Sequence, residues 1–185
     1  INNGVLLVDL DAWRKNNVED MFLRYIRENQ GDITFVDQGV QNGVLSKLGR
    51  SGILHPKYNC MTVFFAFDYK NLIKQRKPPV PGDPAQYREA VENPAIVHFQ
   101  SCFRMSIRPW VEGCKHPYAK TYLAYKAKSP WKDTPMKPDD RTAPQKVLSA
   151  VTSAMPERLM VDCISFVHTK IYPLARNLKQ RMNRK

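Results

Sequence analysis

Short apolar runs along this chain alternate with segments in which apolar residues recur every three or four positions. Residues 5–8 form a continuous apolar run, which predicts a buried strand, and residues 9–15 follow as a short helical turn with an acidic start. A second helix is predicted to begin after Asn17, its N-cap, and to end at Gly31. Its apolar face is formed by Val18, Met21, Phe22, Tyr25 and Ile26.

The next segments repeat this order of extended chain followed by helix. Residues 33–36 are predicted to be extended, and Asp37 is placed at the N-cap of a helix. The buried side of that helix is marked by Val40, Val44, Leu45 and Leu48. Residues 58–67 are rich in aromatic and β-branched side chains and are predicted to line the core as strand or irregular chain.

Prolines set the boundaries in the middle of the chain. Residues 70–82 are basic and proline-rich, which is typical of an exposed loop. Asp83 then caps a helix with Pro84 at its first position, where a missing N–H is tolerated. Residues 94–99 form a short β-branched run that predicts a buried strand, with His98 near its end.

The last third is predicted to contain a helix over residues 118–128, a linker and a tail. Prolines and charges dominate residues 132–144, which indicates a linker. Residues 145–185 are predicted to form a basic amphipathic helical tail that is kinked at Pro173. Its apolar stripe is formed by Leu159, Met160, Cys163, Ile164, Val167, Ile171, Leu174 and Leu178. The alternation of strands and helices before the linker favours an α/β fold class.

Composition limits the classes of protein. A chain of 185 residues that is 43% hydrophobic can form one sizeable core with an appendage. The net charge of +12 indicates an anionic partner, which leaves nucleic acid, acidic lipid and phosphorylated small molecules open. The four cysteines form no CxxC pair and are predicted to be free thiols in a reducing compartment. A zinc site formed by Cys102, Cys114 and His116 is not favoured, because their spacing fits no common ligand arrangement.

His98 and Arg108 are the first candidates for chemistry. Imidazole can donate, accept or ligate a metal near neutral pH. A guanidinium that is followed by the stiff pair Pro109-Trp110 can hold a phosphate oxygen in a fixed place. The alternative is purely structural, with a hydrogen-bonded core histidine and an arginine stacked on tryptophan.

The acidic motifs are interpreted in two ways. Asp9 and Asp11 form a D-x-D pair that could share a divalent cation, but they lie where a strand feeds a helix, which favours capping. Asp37 and Gln38 place a carboxylate and an amide at a helix N-terminus, which suits a hydroxyl-rich ligand. Simple capping by Asp37 is the alternative.

Several motifs occur in the order of a known family. Residues 2–10 (N-N-G-V-L-L-V-D-L) with W-R at 13–14 resemble its F-N-S-G-V-L-L-I-N-L…W-R, and residues 37–42 (D-Q-G-V-Q-N) resemble D-Q-D-I-L-N. Further matches are Tyr58-Asn59, Ile96-Val97-His98-Phe99, Arg108-Pro109-Trp110, His116-Pro117 and Ser129-Pro130-Trp131. The family is glycosyltransferase family 8, retaining enzymes of the GT-A fold similar to lipopolysaccharide galactosyl- and glucosyltransferases. The resemblance extends to about residue 131.

On the diphosphate side, the resemblance implies roles for two residues. His98 matches the histidine that joins two aspartates of an upstream D-x-D in holding manganese on the nucleotide diphosphate. Arg108 stands where the family usually has the lysine of K-P-W, which touches the diphosphate. The implied cofactor is Mn²⁺ or Mg²⁺, and the implied donor substrate is a nucleotide sugar, with UDP as the expected nucleotide.

On the sugar side, the resemblance implies roles for five residues. Asn2, Asn3 and Gly4 match the segment that lines the donor-sugar pocket. Asp37 matches the carboxylate that contacts the donor sugar. Gln38 matches the glutamine on the reacting face of the sugar, proposed as nucleophile or electrostatic stabiliser.

The chain also departs from the family pattern. Gly39 replaces the second aspartate of D-Q-D, Gln100-Ser101 replaces Thr-Gly, and the spacer between His98 and Arg108 is longer. The upstream D-x-D and the nucleotide-binding βα units are absent from the sequence. Residues 1–131 are therefore expected to be the C-terminal portion of a GT-A (nucleotide-diphospho-sugar transferase) fold, and to be inactive alone.

The predicted function is metal-dependent, retaining transfer of a hexose from a UDP-sugar to a saccharide acceptor of a surface glycan or lipid-linked oligosaccharide. The expected location is the cytoplasm, with the basic tail docking on an anionic membrane face; packing of the tail on the domain or on a second subunit is the alternative. A non-catalytic basic lipid- or RNA-binding module is the alternative function, and an inactive pseudoenzyme is another. Nucleic acid is not an expected partner, because the aromatic residues fall in apolar runs rather than among the charges.

Overall fold

The computed structural model describes residues 2–49, 51–76, 82–102 and 104–175. The helices of these ranges are α1 (Leu10–Lys15), α2 (Val18–Glu28), α3 (Val36–Leu48), α4 (Thr62–Ala66), α5 (Tyr69–Arg76), α6 (Pro84–Glu92), α7 (Ala119–Lys126), α8 (Ala143–Ala154) and α9 (Glu157–Phe166). The strands are β1 (Cys60–Met61) and β2 (Val97–His98). A 3₁₀ turn spans Pro56–Asn59, and a π-helical turn, Val167–Ile171, extends α9 into helical residues 172–175.

Strands β1 and β2 form a parallel pair. Cys60 lies opposite Val97, and Met61 lies opposite His98. The Cys60 N–H donates to the Ile96 carbonyl at 2.9 Å, so the ladder begins one residue before β2. Because parallel strands need a crossover connection, the helices α4 to α6 lie between β1 and β2 in the chain. The predicted strand at His98 is present, but it is limited to Val97–His98 and is half-buried rather than buried, with Ile96 44% exposed.

The core lies where α4, α5 and α9 meet. Its buried side chains are Val63, Ala66, Phe67, Leu72, Met160, Val161 and Ile164. Glu157 at the start of α9 accepts hydrogen bonds from the Asp68 backbone N–H at 3.0 Å and from Asn71 Nδ2 at 2.7 Å. A carboxylate that accepts from two donors fixes α9 against the start of α5.

Three predictions of local structure are wrong. Residues 5–8 are not a strand, and the apolar side chains of residues 6–8 are exposed, with Leu7 at 84%. A strand needs a neighbour for its N–H and C=O groups, and the two-stranded sheet of the described residues does not reach this segment. Residues 62–66, predicted as strand or irregular chain, form the helix α4, although Thr62, Val63 and Ala66 do line the core. Residues 69–76 form a helix rather than a loop; residues 77–81 lie outside the described ranges.

The predicted caps are confirmed in two places. Asp83 Oδ1 accepts from the Ala85 N–H at 2.8 Å, with Pro84 at the first position of α6. Asp9 Oδ1 accepts from the Ala12 N–H at 2.9 Å, so the first carboxylate of the D-x-D pair caps α1 as expected. Asn17 is the N-cap residue of α2, but its side chain makes no capping hydrogen bond.

The predicted linker and tail are folded against the rest of the chain where they are described. The Glu112 N–H donates to the Lys137 carbonyl, and the Lys137 N–H donates to the Trp110 carbonyl, each at 2.9 Å. In α9, Met160 and Ile164 face α5, while Leu159 is 53% exposed. A π-helical turn precedes Pro173. The last predicted tail residues, 176–185, lie outside the described ranges.

Candidate functional site

The segment at Asn3 is hydrogen-bonded to the N-terminus of α3. Asn3 Nδ2 donates to Asp37 Oδ2 at 3.1 Å, and the Asn3 backbone N–H donates to Gln38 Oε1 at 3.4 Å. The two contacts bridge about thirty-five positions of sequence, so tertiary folding brings them together. The prediction that Asp37 is an N-cap is wrong, because Phe35 holds that position and the Asp37 carboxylate accepts from Asn3 instead.

The backbone that leads into α3 is strained. Phe35 and Val36 have φ values of +64° and +48°, in the left-handed region that a β-branched residue rarely adopts. Both side chains are exposed, at 70% and 75%. Gly39 permits this backbone path into α3, since a Cβ at position 39 would lie 2.0 Å from the Thr34 carbonyl oxygen. Gly39 stands where the family has an aspartate, and the backbone conformation of residues 34–36 requires a residue without a side chain at this position.

Asn2, Asn59 and His98 form a second chain of hydrogen bonds. Asn59 Nδ2 donates to Asn2 Oδ1 at 2.7 Å, and Asn59 Oδ1 lies 2.8 Å from His98 Nδ1. Asn59 precedes β1 and His98 ends β2, so the parallel pair sets their spacing. Because Asn2 and Asn3 are adjacent in sequence, the two chains make one polar network of Asn2, Asn3, Asp37, Gln38, Asn59 and His98.

Gly4 lies against the His98 ring. A Cβ at position 4 would be 2.4 Å from both Cε1 and Nδ1 of His98, a distance that real Cβ atoms do not show. The Gly4 N–H donates to Asn2 Oδ1 at 2.9 Å. The structure therefore brings Gly4 to the network, where it contacts the imidazole.

Arg108 is held close to the end of β2 without joining the polar network. Its Nε donates to Ser101 Oγ at 3.2 Å, three residues beyond His98, and its guanidinium lies 5.4 Å from the Trp110 ring centroid. Arg108 remains exposed. The stacking that we considered as the structural alternative is present, and it leaves part of the guanidinium facing solvent.

An aromatic cluster connects the Trp110 region to β2. The Phe99 ring packs edge-to-face on His116 at 4.9 Å and on Tyr122 at 6.1 Å, and Tyr122 also packs against Trp110. His116 is 5% exposed, and burial lowers the pKa of its imidazole. Its Nδ1 accepts from the Tyr118 N–H at 3.1 Å. His116 is therefore a buried ring that packs between Phe65 and Phe99.

The protein groups present fit a divalent cation only in part. Within the ranges that the structure describes, no group of three or more His, Cys, Asp or Glu side chains could hold a metal ion. A His98 imidazole with one nitrogen paired to an amide has the arrangement that metal-ligating histidines commonly show. His98 therefore fits as one ligand of such an ion.

Sequence reasoning found most members of the network but not their connection. Asn59 belongs to a motif of the family, but the resemblance implies no site role for it, although its side chain joins Asn2 to His98. Ser101, which receives the Arg108 hydrogen bond, was noted only as a departure from the family pattern. The sequence did carry one sign of a role for Asn59. Its polar amide directly precedes the buried strand residue Cys60, and an amide next to the core needs hydrogen-bond partners.

This geometry agrees with a match to a protein family. The family model "Glycosyl transferase family 8" matches residues 1–113, and the chain belongs to this family. The small parallel sheet with its surrounding helices is compatible with a GT-A-like α/β fold. The matched range contains every residue of the polar network and Arg108.

A curated relative supports the same assignment. General stress protein A of Bacillus subtilis (strain 168) is 31% identical over 132 residues, which cover 70% of this chain. The match covers 42% of the relative's length. No solved structure matches the chain. Among the described residues, no helix has the length and apolar character needed to cross a bilayer.

Proposed function

We propose that this protein takes part in the retaining transfer of a hexose from a UDP-sugar to a saccharide acceptor of a surface glycan or lipid-linked oligosaccharide. Family membership supports the transferase class. The observation that carries the proposal is the polar network, which gathers Asn2, Asn3, Asp37, Gln38 and His98 into one place from three distant segments. Such convergence of polar groups at one point is what a specific ligand site requires.

On the sugar side, Asp37 and Gln38 would hold the donor hexose. A carboxylate and an amide oxygen accept hydrogen bonds from sugar hydroxyls, and the amide N–H₂ of Gln38 can donate. Asn3 already donates to both side chains, which orients their oxygens before the sugar arrives. A pre-oriented, neutral amide next to a carboxylate can stabilise positive charge that develops at the anomeric carbon.

On the diphosphate side, His98 and Arg108 would receive the leaving group. A divalent cation, Mn²⁺ or Mg²⁺, would neutralise the charge that develops on the departing diphosphate. His98 would hold it through the ring nitrogen that faces away from Asn59. Arg108, fixed by Ser101 and Trp110 but exposed, can turn guanidinium N–H groups towards phosphate oxygens.

The test is donor use by the full-length protein with UDP-glucose, UDP-galactose and related donors, with and without Mn²⁺. We expect turnover that depends on the cation and that preserves the anomeric configuration of the donor. His98→Ala and Gln38→Ala should each lower kcat/KM at least about 100-fold, as expected for groups that act on the transition state. The absence of turnover or hydrolysis with every donor would contradict the proposal.

A matched control is available in the other acidic pair. Asp11 is exposed and forms an ion pair with Arg14 at 3.4 Å in α1. Asp11→Asn removes the second carboxylate of that D-x-D pair and should leave activity unchanged. If Asp11→Asn lost the cation-dependent activity, the cation would be bound at Asp11, and His98 would be removed from the proposal.

We also propose a division into a catalytic part (1–131), a linker (132–144) and a tail (145–185). The outward side of the tail would dock on an anionic membrane face from the cytoplasm, while Met160 and Ile164 on its inner side pack in the core. The proposal is supported by exposed apolar residues of α8 and of the segment that starts at the last residue of α9, together with the positive net charge. These residues are Val147, Leu148, Val151, Phe166, Ile171 and Leu174. Co-sedimentation with phosphatidylglycerol vesicles, but not with phosphatidylcholine vesicles, is the expected result; equal recovery in the supernatant would contradict it.

A further inference from the structure

We propose that Asn59 is a positioning residue that fixes the proton of His98 on Nδ1 and leaves Nε2 as the nitrogen with a free lone pair. The inference starts from an unambiguous donor, the Gly4 backbone N–H. Because this group donates to the Asn2 side chain at 2.9 Å, the accepting atom of Asn2 must be its oxygen.

The remaining assignments follow from that oxygen. The Asn59 atom that lies 2.7 Å from Asn2 Oδ1 must be the amide nitrogen, since two oxygens cannot share a hydrogen bond without a proton. The other atom of the Asn59 amide is then its oxygen, and it lies 2.8 Å from His98 Nδ1. An amide oxygen only accepts, so neutral His98 must carry its proton on Nδ1.

The consequence concerns the opposite side of the ring. With Nδ1 protonated, Nε2 holds the lone pair, and among the described residues no side chain or backbone group hydrogen-bonds to it. The Gly4 backbone packs against the His98 ring next to Cε1 and Nδ1. The inference rests on the proposed function only in its last step, where Nε2 meets a cation; the tautomer itself is a property of the protein alone.

The experiment reads the tautomer directly. Long-range ¹H–¹⁵N correlation spectra of the full chain, recorded at about pH 8 where an ordinary imidazole is neutral, distinguish the protonated ring nitrogen from the bare one. The His98 signals are assigned by their loss in His98→Gln. We expect the proton on Nδ1 in the wild type; a proton on Nε2 would overturn the proposal without need of any variant.

Three variants separate positioning from packing. Asn59→Leu keeps the branching and the number of heavy atoms of the side chain and removes the acceptor, so His98 should lose its Nδ1–H preference. Asn59→Asp loses the hydrogen bond to Asn2 Oδ1 but keeps an acceptor next to Nδ1, and it should retain the tautomer. Asn71→Leu is the matched control, because it removes another partly buried asparagine hydrogen bond, to Glu157, far from His98 in the chain. An unchanged tautomer in a folded Asn59→Leu would overturn the proposal.

A titration of the full-length protein, which would supply the D-x-D aspartates that the family resemblance implies, with MnCl₂ keeps this inference distinct from the proposed function. Paramagnetic broadening of the His98 ring signals reports cation binding without any reaction. Asn59→Leu should weaken binding about 10- to 100-fold, the usual effect of removing the partner of a metal-ligating histidine. The expected tautomer with no broadening in the wild type would remove the cation from the proposed function and would still support the role of Asn59.

Discussion

The Cα of Gly4 lies so close to the His98 ring that a methyl group at position 4 would stand 2.4 Å from both Cε1 and Nδ1. Gly4→Ala must therefore push the imidazole away from Asn59 or shift the segment around Asn2. We expect a loss of stability of about 1–3 kcal/mol, typical of overpacking, together with a loss of the Nδ1 tautomer preference. Chemical denaturation and the ring ¹⁵N spectrum measure the two effects.

Gly52→Ala is the control for this substitution. A Cβ at Gly52 meets nothing within 4 Å, and its backbone is not in the left-handed region. Its stability should stay within about 0.5 kcal/mol of the wild type, as for other surface substitutions. If Gly4→Ala behaved like Gly52→Ala in both measurements, the result would contradict the close contact between Gly4 and the His98 ring.

Gly39→Asp would restore the family's residue, but the structure predicts harm rather than gain. A Cβ at position 39 would lie 2.0 Å from the Thr34 carbonyl oxygen and 2.6 Å from Ile33 Cγ2. We expect about 1–3 kcal/mol of destabilisation and no gain in activity. Gly39→Ala should show most of the same loss, because the clash begins at Cβ. Thermal unfolding of both variants checks this, and a stable, more active Gly39→Asp would contradict it.

The packing of α9 can be tested with two adjacent side chains. Met160 is 1% exposed in the core, whereas its neighbour Leu159 is 53% exposed. Met160→Ala should cost about 2–5 kcal/mol through lost burial and a cavity. Leu159→Ala should cost less than about 1 kcal/mol, since most of its surface is in water. Equal effects in urea denaturation would mean that α9 does not pack against α5.

Burial of His116 gives the stability a defined pH dependence. Because burial lowers the pKa of His116 below its ordinary value of 6.5, the unfolded chain binds the proton more readily than the folded one. The free energy of unfolding should therefore fall as pH drops below about 6.5. Above that pH, His116 should no longer make the stability depend on pH, because the imidazole is neutral in both states. His116→Phe keeps the ring contacts with Phe65 and Phe99 and should flatten the stability profile between about pH 5 and 7. A profile as steep as that of the wild type would contradict this.

The candidate site shows what a family resemblance can and cannot supply. It named Asn2, Asn3, Asp37, Gln38 and His98, and the structure joins all five through hydrogen bonds. It did not assign Asn59, because a supporting amide is recognised by the two groups it touches rather than by its own position in a motif. The resemblance also named Arg108, but this residue is hydrogen-bonded to Ser101 and not to the polar network.

The start of α6 followed from the sequence, because a capping aspartate and a proline act within a few positions of the chain. The helix α7 was predicted over residues 118–128 and is present at Ala119–Lys126. Local signals also placed residues 5–8 in a strand, and tertiary structure decided otherwise, since a strand exists only where a neighbour pairs with its backbone. Which polar side chains meet was likewise decided by folding. The contacts of Asn3 with α3 and of Asn59 with Asn2 span roughly thirty-five and fifty-seven positions, distances over which sequence periodicity carries no information.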